Sequence, residues 1–158
     1  MVQEQQQQLA KSIEIERIDT LLSETTGHTF YSHLSEEADG YNLLEKKPVY
    51  TNYGDSSDIH IYDASTDSIH GNQLSGRWET MADAQFVKYG DFDYANATNI
   101  SIERAFSSGT KKSFVADLHD DDIILVKLED APLMAIKIMA VLDQDGTLND
   151  RYIFNLKK

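Results

Sequence analysis

Three apolar runs close the chain, and each has the patterning of a β-strand. Ile123 to Leu128 is nearly continuous Ile, Leu and Val, and Met134 to Leu142 is rich in Met, Ala, Ile and Val. From Arg151 to Leu156, Tyr152, Phe154 and Leu156 alternate with Arg151, Ile153 and Asn155. Runs of this length separated by turn residues predict a C-terminal β-meander. The link between the last two contains Asp145-Gly146, a dipeptide that suits the positive-φ positions of a tight hairpin turn.

Upstream the pattern is more broken. From Lys11 to Ser23 a strand period (Ile13, Ile15) competes with a helical face (Ile15, Ile18, Leu21, Leu22), and a helix stopping near Ser23 to Gly27 is the favoured reading. Thr29 to Leu34 clusters aromatic and β-branched residues as a short strand, with Asp39-Gly40 as the turn that closes the acidic stretch after it. Asp58 to Asp63 alternates, with Ile59 and Ile61 on one side and Asp58, His60 and Tyr62 on a wet one. Ala64 to Ser75 reads as a surface loop. Gly76 to Asp93 allows either a short helix through Trp78, Met81 and Phe86 or a strand over Phe86 to Tyr89; Asn96 to Ser101 reads as a loop and Ser113 to Leu118 as a strand. Many short strands with one or two short helices define a mainly β class, an antiparallel β-sandwich or a partly open barrel.

Gln3 to Gln8 has nothing to bury, so residues 1–12 are expected to be a polar tail or linker and 13–158 a single domain. A chain of 158 residues with 41% hydrophobic residues is long enough to bury about 70% of its unfolded surface without a disulfide or metal. Zero Cys excludes thiolate catalysis and thiolate-held metals. The 27 acidic against 14 basic residues, a formal net charge of −13, disfavour nucleic acid and anionic membranes. No apolar stretch has the length of a signal peptide or membrane span, so either the protein is cytoplasmic or its targeting segment lies outside this sequence.

No nucleophile elbow, phosphate loop, His-Glu-x-x-His or dinucleotide fingerprint is present. Placing Gly146 at the glycine position of a calcium loop puts Val141 and Tyr152 where carboxylates are required, which leaves the segment a plain turn. Asp120-Asp121-Asp122 and Glu129-Asp130 flank one strand of about 20 Å, too far apart to share an ion; they read as charged guards of an aggregation-prone run. Five histidines are scattered without metal spacing, His60 and His70 being the best candidates for a metal or haem iron. Tyr50, Tyr53, Trp78 and Tyr94 belong to an aromatic-rich middle region, where such rings either fill a core or stack on sugars.

Gly40-Tyr41-Asn42-Leu43-Leu44 and Ser57 to Tyr62, followed by Asp122 to Leu128, Ala135 to Ile138 and Asp150 to Phe154, resemble the opening and closing strands of β-rich domains in secreted and outer-membrane lipoproteins of Bacteroidetes, the haemophore-like type included. The resemblance spans roughly residues 37 to 156. It implies a cell-envelope or extracellular domain, and with the meander and the missing catalytic motifs it leads to the expectation of a non-enzymatic domain that binds a small molecule, glycan or surface protein, or serves as an accessory part of a surface system. Haem-binding members hold iron through paired His or Met side chains, and no such pair maps onto this sequence. Asp19-Thr20-Leu21 and Asp67-Ser68-Ile69 also look like that group's O-glycosylation acceptor. The enzyme alternative is a small hydrolase using two carboxylates about 5 to 10 Å apart.

Overall fold

The computed structural model describes residues 18–65, 74–143 and 149–158. In chain order the strands are β1 (Glu24–Tyr31), β2 (Gly40–Asn42), β3 (Lys47–Val49), β4 (Ile61–Asp63), β5 (Trp78–Glu79) and β6 (Gln85–Lys88), then β7 (Phe114–Val115), β8 (Ile123–Lys127), β9 (Met134–Leu142) and β10 (Arg151–Lys157). Among the described residues one α-helix, α1 (Asn99–Ser108), separates β6 from β7, and one 3-10 turn covers Ser56–Asp58. The strands form two five-stranded sheets, here called sheet I (β1-β10-β9-β8-β6) and sheet II (β3-β2-β4-β5-β7), with every pairing antiparallel. This is a β-sandwich, mainly β, with the two sheets not closed into a barrel.

The C-terminal meander is present as β8, β9 and β10, neighbours in sheet I. The continuous apolar run of β8 has a direct cause: both its faces are covered. Ile124 and Val126 join the core between the sheets, while Ile123 and Leu125 join a second cluster under Ile102, Ala105 and Phe106 of α1. β10 alternates because Tyr152, Phe154 and Leu156 face the inter-sheet core. The Asp145-Gly146 turn expected between β9 and β10 lies outside the described residues.

Two irregularities shape sheet I. The β1–β10 register shifts between Thr25 and His28, where Gly27 has φ +74 and donates its N–H to Asn155 Oδ1 at 3.3 Å. A bulge that needs a left-handed residue selects glycine there. At the other face, a Cβ on Gly109 would come within 2.2 Å of Val87 Cγ1, so the end of α1 approaches β6 closely only because that residue has no side chain.

Several expectations are corrected. Residues 18–23 are not helical: Leu21 forms an isolated bridge with Thr98, and the chain enters β1 at Glu24. Residues 11–17, the rest of that proposed helix, lie outside the described region. Asp39-Gly40 is not a turn, because Gly40 already pairs with Val49 and Tyr62 in sheet II. The region around Trp78 is β5 and β6 rather than helix. Asn96 to Ser101 is not simply a loop: Thr98 caps α1, its hydroxyl accepting the Ser101 N–H while the Ser101 hydroxyl accepts the Thr98 N–H. This is a capping box with Ser in the position usually held by Glu or Gln, and the apolar trio Ile102, Ala105 and Phe106 behind it has helical spacing.

Candidate functional site

The strands of sheet II are only two or three residues long, too short for ladder hydrogen bonds alone to fix them. Buried polar side chains do that work. Asp63, at the end of β4, is 1% exposed. Its Oδ1 accepts from the hydroxyls of Tyr152 at 2.8 Å and Ser75 at 2.9 Å; its Oδ2 accepts from the Ser65 hydroxyl and from the His33 backbone N–H at 3.0 Å. Because Tyr152 belongs to β10, this carboxylate ties one sheet to the other. Burial, with Asp63 beside it, pushes the Tyr152 phenol well above the usual tyrosine range, so it stays a donor.

Asp39 repeats the theme one strand away. Oδ1 accepts the Thr51 N–H at 2.9 Å, and Oδ2 accepts the Thr51 hydroxyl and His33 Nδ1, each at 2.6 Å. His33 is thus held by two buried aspartates, through its backbone by Asp63 and through its ring by Asp39. A carboxylate oxygen only accepts, so Nδ1 carries the proton. In the neutral ring Nε2 then has a free lone pair, and it has no partner among the described residues. His33 is exposed and lines a groove of about 340 Å³ together with Thr51, Asn52, Tyr62, Glu79 and Met81.

The loop that supplies Thr51 and Asn52 also carries Tyr50 and Tyr53. Their rings stand edge to face with centroids 6.0 Å apart, and they are 44% and 87% exposed. The other two aromatic candidates are elsewhere. Trp78 is 0% exposed, packed between Phe30 and Tyr152 at 5.2 and 5.3 Å, and Tyr94 lies in the cluster beneath α1. Of the four rings named from sequence, the structure brings two together on the surface and uses the other two as core.

His60 does not lie on a wet face as its alternation suggests. It is 5% exposed because Leu43, Ile59 and Ile61 around it are all fully buried and the chain has not yet entered β4. Its Nδ1 accepts the Leu43 N–H at 2.9 Å, so the neutral ring keeps its proton on Nε2. That nitrogen is a donor, and it becomes a metal or haem ligand only by giving up the Leu43 bond. Burial holds the His60 pKa below the ordinary imidazole value, against the upward pull of Asp58 and Glu45. A second groove of about 440 Å³ runs past His60, ringed by Asp55, Asp83 and Glu129, and Met81 lines both grooves. His70 lies outside the described residues, and among those described no group of three His, Asp or Glu has metal-binding geometry.

No family model, curated protein or solved structure matches the chain. No helix among the described residues is long and apolar enough to cross a membrane. The site is therefore read on its own chemistry. The Tyr50–Tyr53 ledge gives flat apolar faces; the groove lined by Thr51 and Asn52 of the same loop offers His33 Nε2 and the Glu79 carboxylate as acceptors, with Tyr62, Thr51 and Asn52 as mixed polar groups. Arg77 Nε holds Glu79 at 3.0 Å.

Sequence reasoning missed His33, Asp39, Thr51 and Asp63. Nothing in their local spacing marks them, since they lie on four segments, one after β1 of sheet I and three on or beside the strands of sheet II, that only the fold brings together. The pairing of a buried aspartate with a neighbouring Ser or Thr in Asp63-Ala64-Ser65 was the one local signal available.

Proposed function

We propose that this domain is a non-enzymatic binding module for a neutral, hydroxyl-rich ligand of the glycan class, held at the groove of His33 and the Tyr50–Tyr53 ledge. The exposed Tyr50–Tyr53 pair, on the loop whose Thr51 and Asn52 line a polar groove, carries this reading. Sugar rings present C–H faces that stack on aromatics and hydroxyls that donate to His33 Nε2 and Glu79, and neither feature fits an anion in a chain of net charge −13.

The polar groups argue for binding rather than turnover. Asp63 and Asp39 are each held by three or more donors, and the Thr51 and Ser65 hydroxyls are both spent on those aspartates, so among the described residues no hydroxyl nucleophile is paired with His33. The envelope or extracellular address rests on the resemblance of β2, β4 and the C-terminal strands to lipoprotein domains. The coding sequence upstream tests that address separately.

The decisive experiment is a titration of the full chain with a panel of neutral oligosaccharides, read by calorimetry. Saturable binding is expected, and it should fall at least tenfold in Tyr53→Ala. A panel without a binder, or binding that Tyr53→Ala and His33→Ala both leave intact, removes the proposal. Release of reducing sugar during incubation would instead favour the hydrolase reading.

A further inference from the structure

The groove past His60 contains a hydrogen-bond donor that folding leaves unused. His60 is 5% exposed, its Nδ1 accepts the Leu43 N–H at 2.9 Å, and its backbone N–H donates to Tyr41 O at 3.3 Å. The Nε2–H remains: it has no partner among the described residues, and the ring lines the groove, where an acceptor from outside the chain can reach it. A donor in so buried a ring is costly to leave without an acceptor. The walls around it are set by folding. Met81 N–H donates to Ile59 O at 3.1 Å, the Thr80 hydroxyl accepts the Ala82 and Ala84 N–H groups at 3.1 and 3.4 Å, and Asp55 Oδ1 accepts the Ser57 N–H at 3.2 Å. The volume of about 440 Å³ lies within the range of small-molecule sites, about 300 to 1,000 Å³.

The charge of this groove has one sign. Asp55, Asp83 and Glu129 line it, and among the described residues no lysine, arginine or chain terminus does. None of the three carboxylates has an ion-pair partner among the described residues. The lysines closest in sequence are turned to other groups, Lys47 to Glu45 at 2.6 Å and Lys127 to Ala131 O. A cleft of this kind in a chain of net charge −13 attracts cations. A bare ammonium or metal ion, however, cannot accept from His60 Nε2, and a free carboxylate as acceptor would be repelled by the rim. Leu44 and Met81, 43% and 40% exposed, and the buried Leu128 add an apolar surface. The complement is a molecule with a positive end, a short apolar stem and a neutral acceptor.

We propose that the His60 groove binds an organic cation of the ω-amino amide class, its ammonium among Asp55, Asp83 and Glu129, its methylene stem on Leu44 and Met81, and its carbonyl accepting from His60 Nε2. A lysine side chain together with its own main-chain carbonyl has the same chemistry. The site does not depend on the glycan reading, which concerns the His33 groove.

The test is titration of the full chain with ε-aminocaproamide at pH 7, read by amide chemical shifts. Saturable shifts of Met81, Asp83 and Glu129 are expected, with a dissociation constant on the order of 1 mM for so small a ligand. Hexylammonium, which has the same charge and stem without the amide, should bind about fivefold more weakly, and His60→Asn, which keeps an acceptor for the Leu43 N–H but no donor for the groove, should erase that difference. The Asp83→Asn, Glu129→Gln double variant should weaken binding about fivefold, whereas Glu36→Gln, Glu37→Gln, an equal change of charge elsewhere, should leave it unchanged. All four carboxylates are exposed, and Asn tolerates the φ of +58 at Asp83, so these variants should keep a native amide spectrum. Blocked lysine, N-acetyl-lysine methylamide, separates the two sources: tighter binding than the amide assigns the site to a lysine of a peptide, weaker binding to a free small molecule. No saturable shift in the groove, equal affinity for ε-aminocaproamide and hexylammonium, or an equal loss in the two double variants would each overturn the site.

Discussion

The two sheets of this sandwich are stabilised in different ways. Sheet I has strands of up to nine residues, buried by α1 on one face and by the inter-sheet core on the other, and its side chains are overwhelmingly apolar where they are buried. Sheet II has strands of two or three residues and is stapled by carboxylates: Asp63 to Tyr152, Ser65 and Ser75, and Asp39 to Thr51 and His33. Polar groups that look chemically interesting on sheet II are therefore first of all its scaffold. Under the proposed function, what remains for recognition is what the scaffold leaves over, His33 Nε2 and the tyrosines of the Tyr50–Tyr53 loop.

That contrast can be broken from either side. Phe154 touches Phe30, Tyr41, Trp78 and His28 in the centre of the core, and Phe154→Ala should cost about 4 kcal/mol in urea denaturation. Asp63→Ala leaves several buried donors unsatisfied without opening a large cavity, and about 3 kcal/mol of lost stability is expected. A loss below about 1 kcal/mol there would mean that sheet II is held by packing after all.

Acid should act through two buried histidines. His28 bonds Tyr41 Oη at 2.5 Å and Thr25 Oγ1 at 2.7 Å and is packed on Phe154, and burial lowers its pKa as it does that of His60. Burial also raises the Tyr41 phenol to about 12, which keeps it a hydroxyl throughout. With folded pKa values below the ordinary 6.5, the unfolded chain binds more protons once the pH falls under that value, so stability is full above it and declines below. The melting temperature should drop between pH 7.5 and pH 5. His60→Asn, whose amide oxygen replaces Nδ1 as acceptor for the Leu43 N–H, should flatten that slope; an unchanged slope would place the acid sensitivity elsewhere.

Smaller effects sharpen the same picture. Thr98→Ala removes the cap of α1 and should cost about 1 kcal/mol, measurable as a lower thermal midpoint. Tyr53→Ala should alter stability by less than about 0.5 kcal/mol, because its ring is almost entirely in solvent, while removing the proposed glycan binding. A large loss of stability in that variant would show the ring to be structural, and the contrast between scaffold and recognition groups would fail at its most exposed point.

Sheet I was the legible half. The run from Ile123 to Leu128 and the alternation of Tyr152, Phe154 and Leu156 are local patterns, and local pattern is what a one-dimensional reading detects. α1 escaped because its cap uses Ser101 in place of Glu or Gln and opens with the polar Asn96 to Asn99, although Ile102, Ala105 and Phe106 were spaced to show it. The acidic residues were legible as turn-formers only in part. Asp83, Asp117, Asp121 and Asp130 adopt φ between +54 and +70, so a share of the negative charge serves backbone geometry, including the turns on both sides of β8.

Hydrophobic periodicity in this sequence alone determined that the chain is mainly β and that its last three apolar runs form a meander, because these follow from which side chains avoid water and in what rhythm. Tertiary structure alone decided which aromatic rings are exposed, which nitrogen of His60 and of His33 carries the proton, and that Asp39 and Asp63 converge on one histidine. Those properties depend on contacts between segments far apart in the chain, where a hydrogen-bond partner or a covering side chain comes from a different strand.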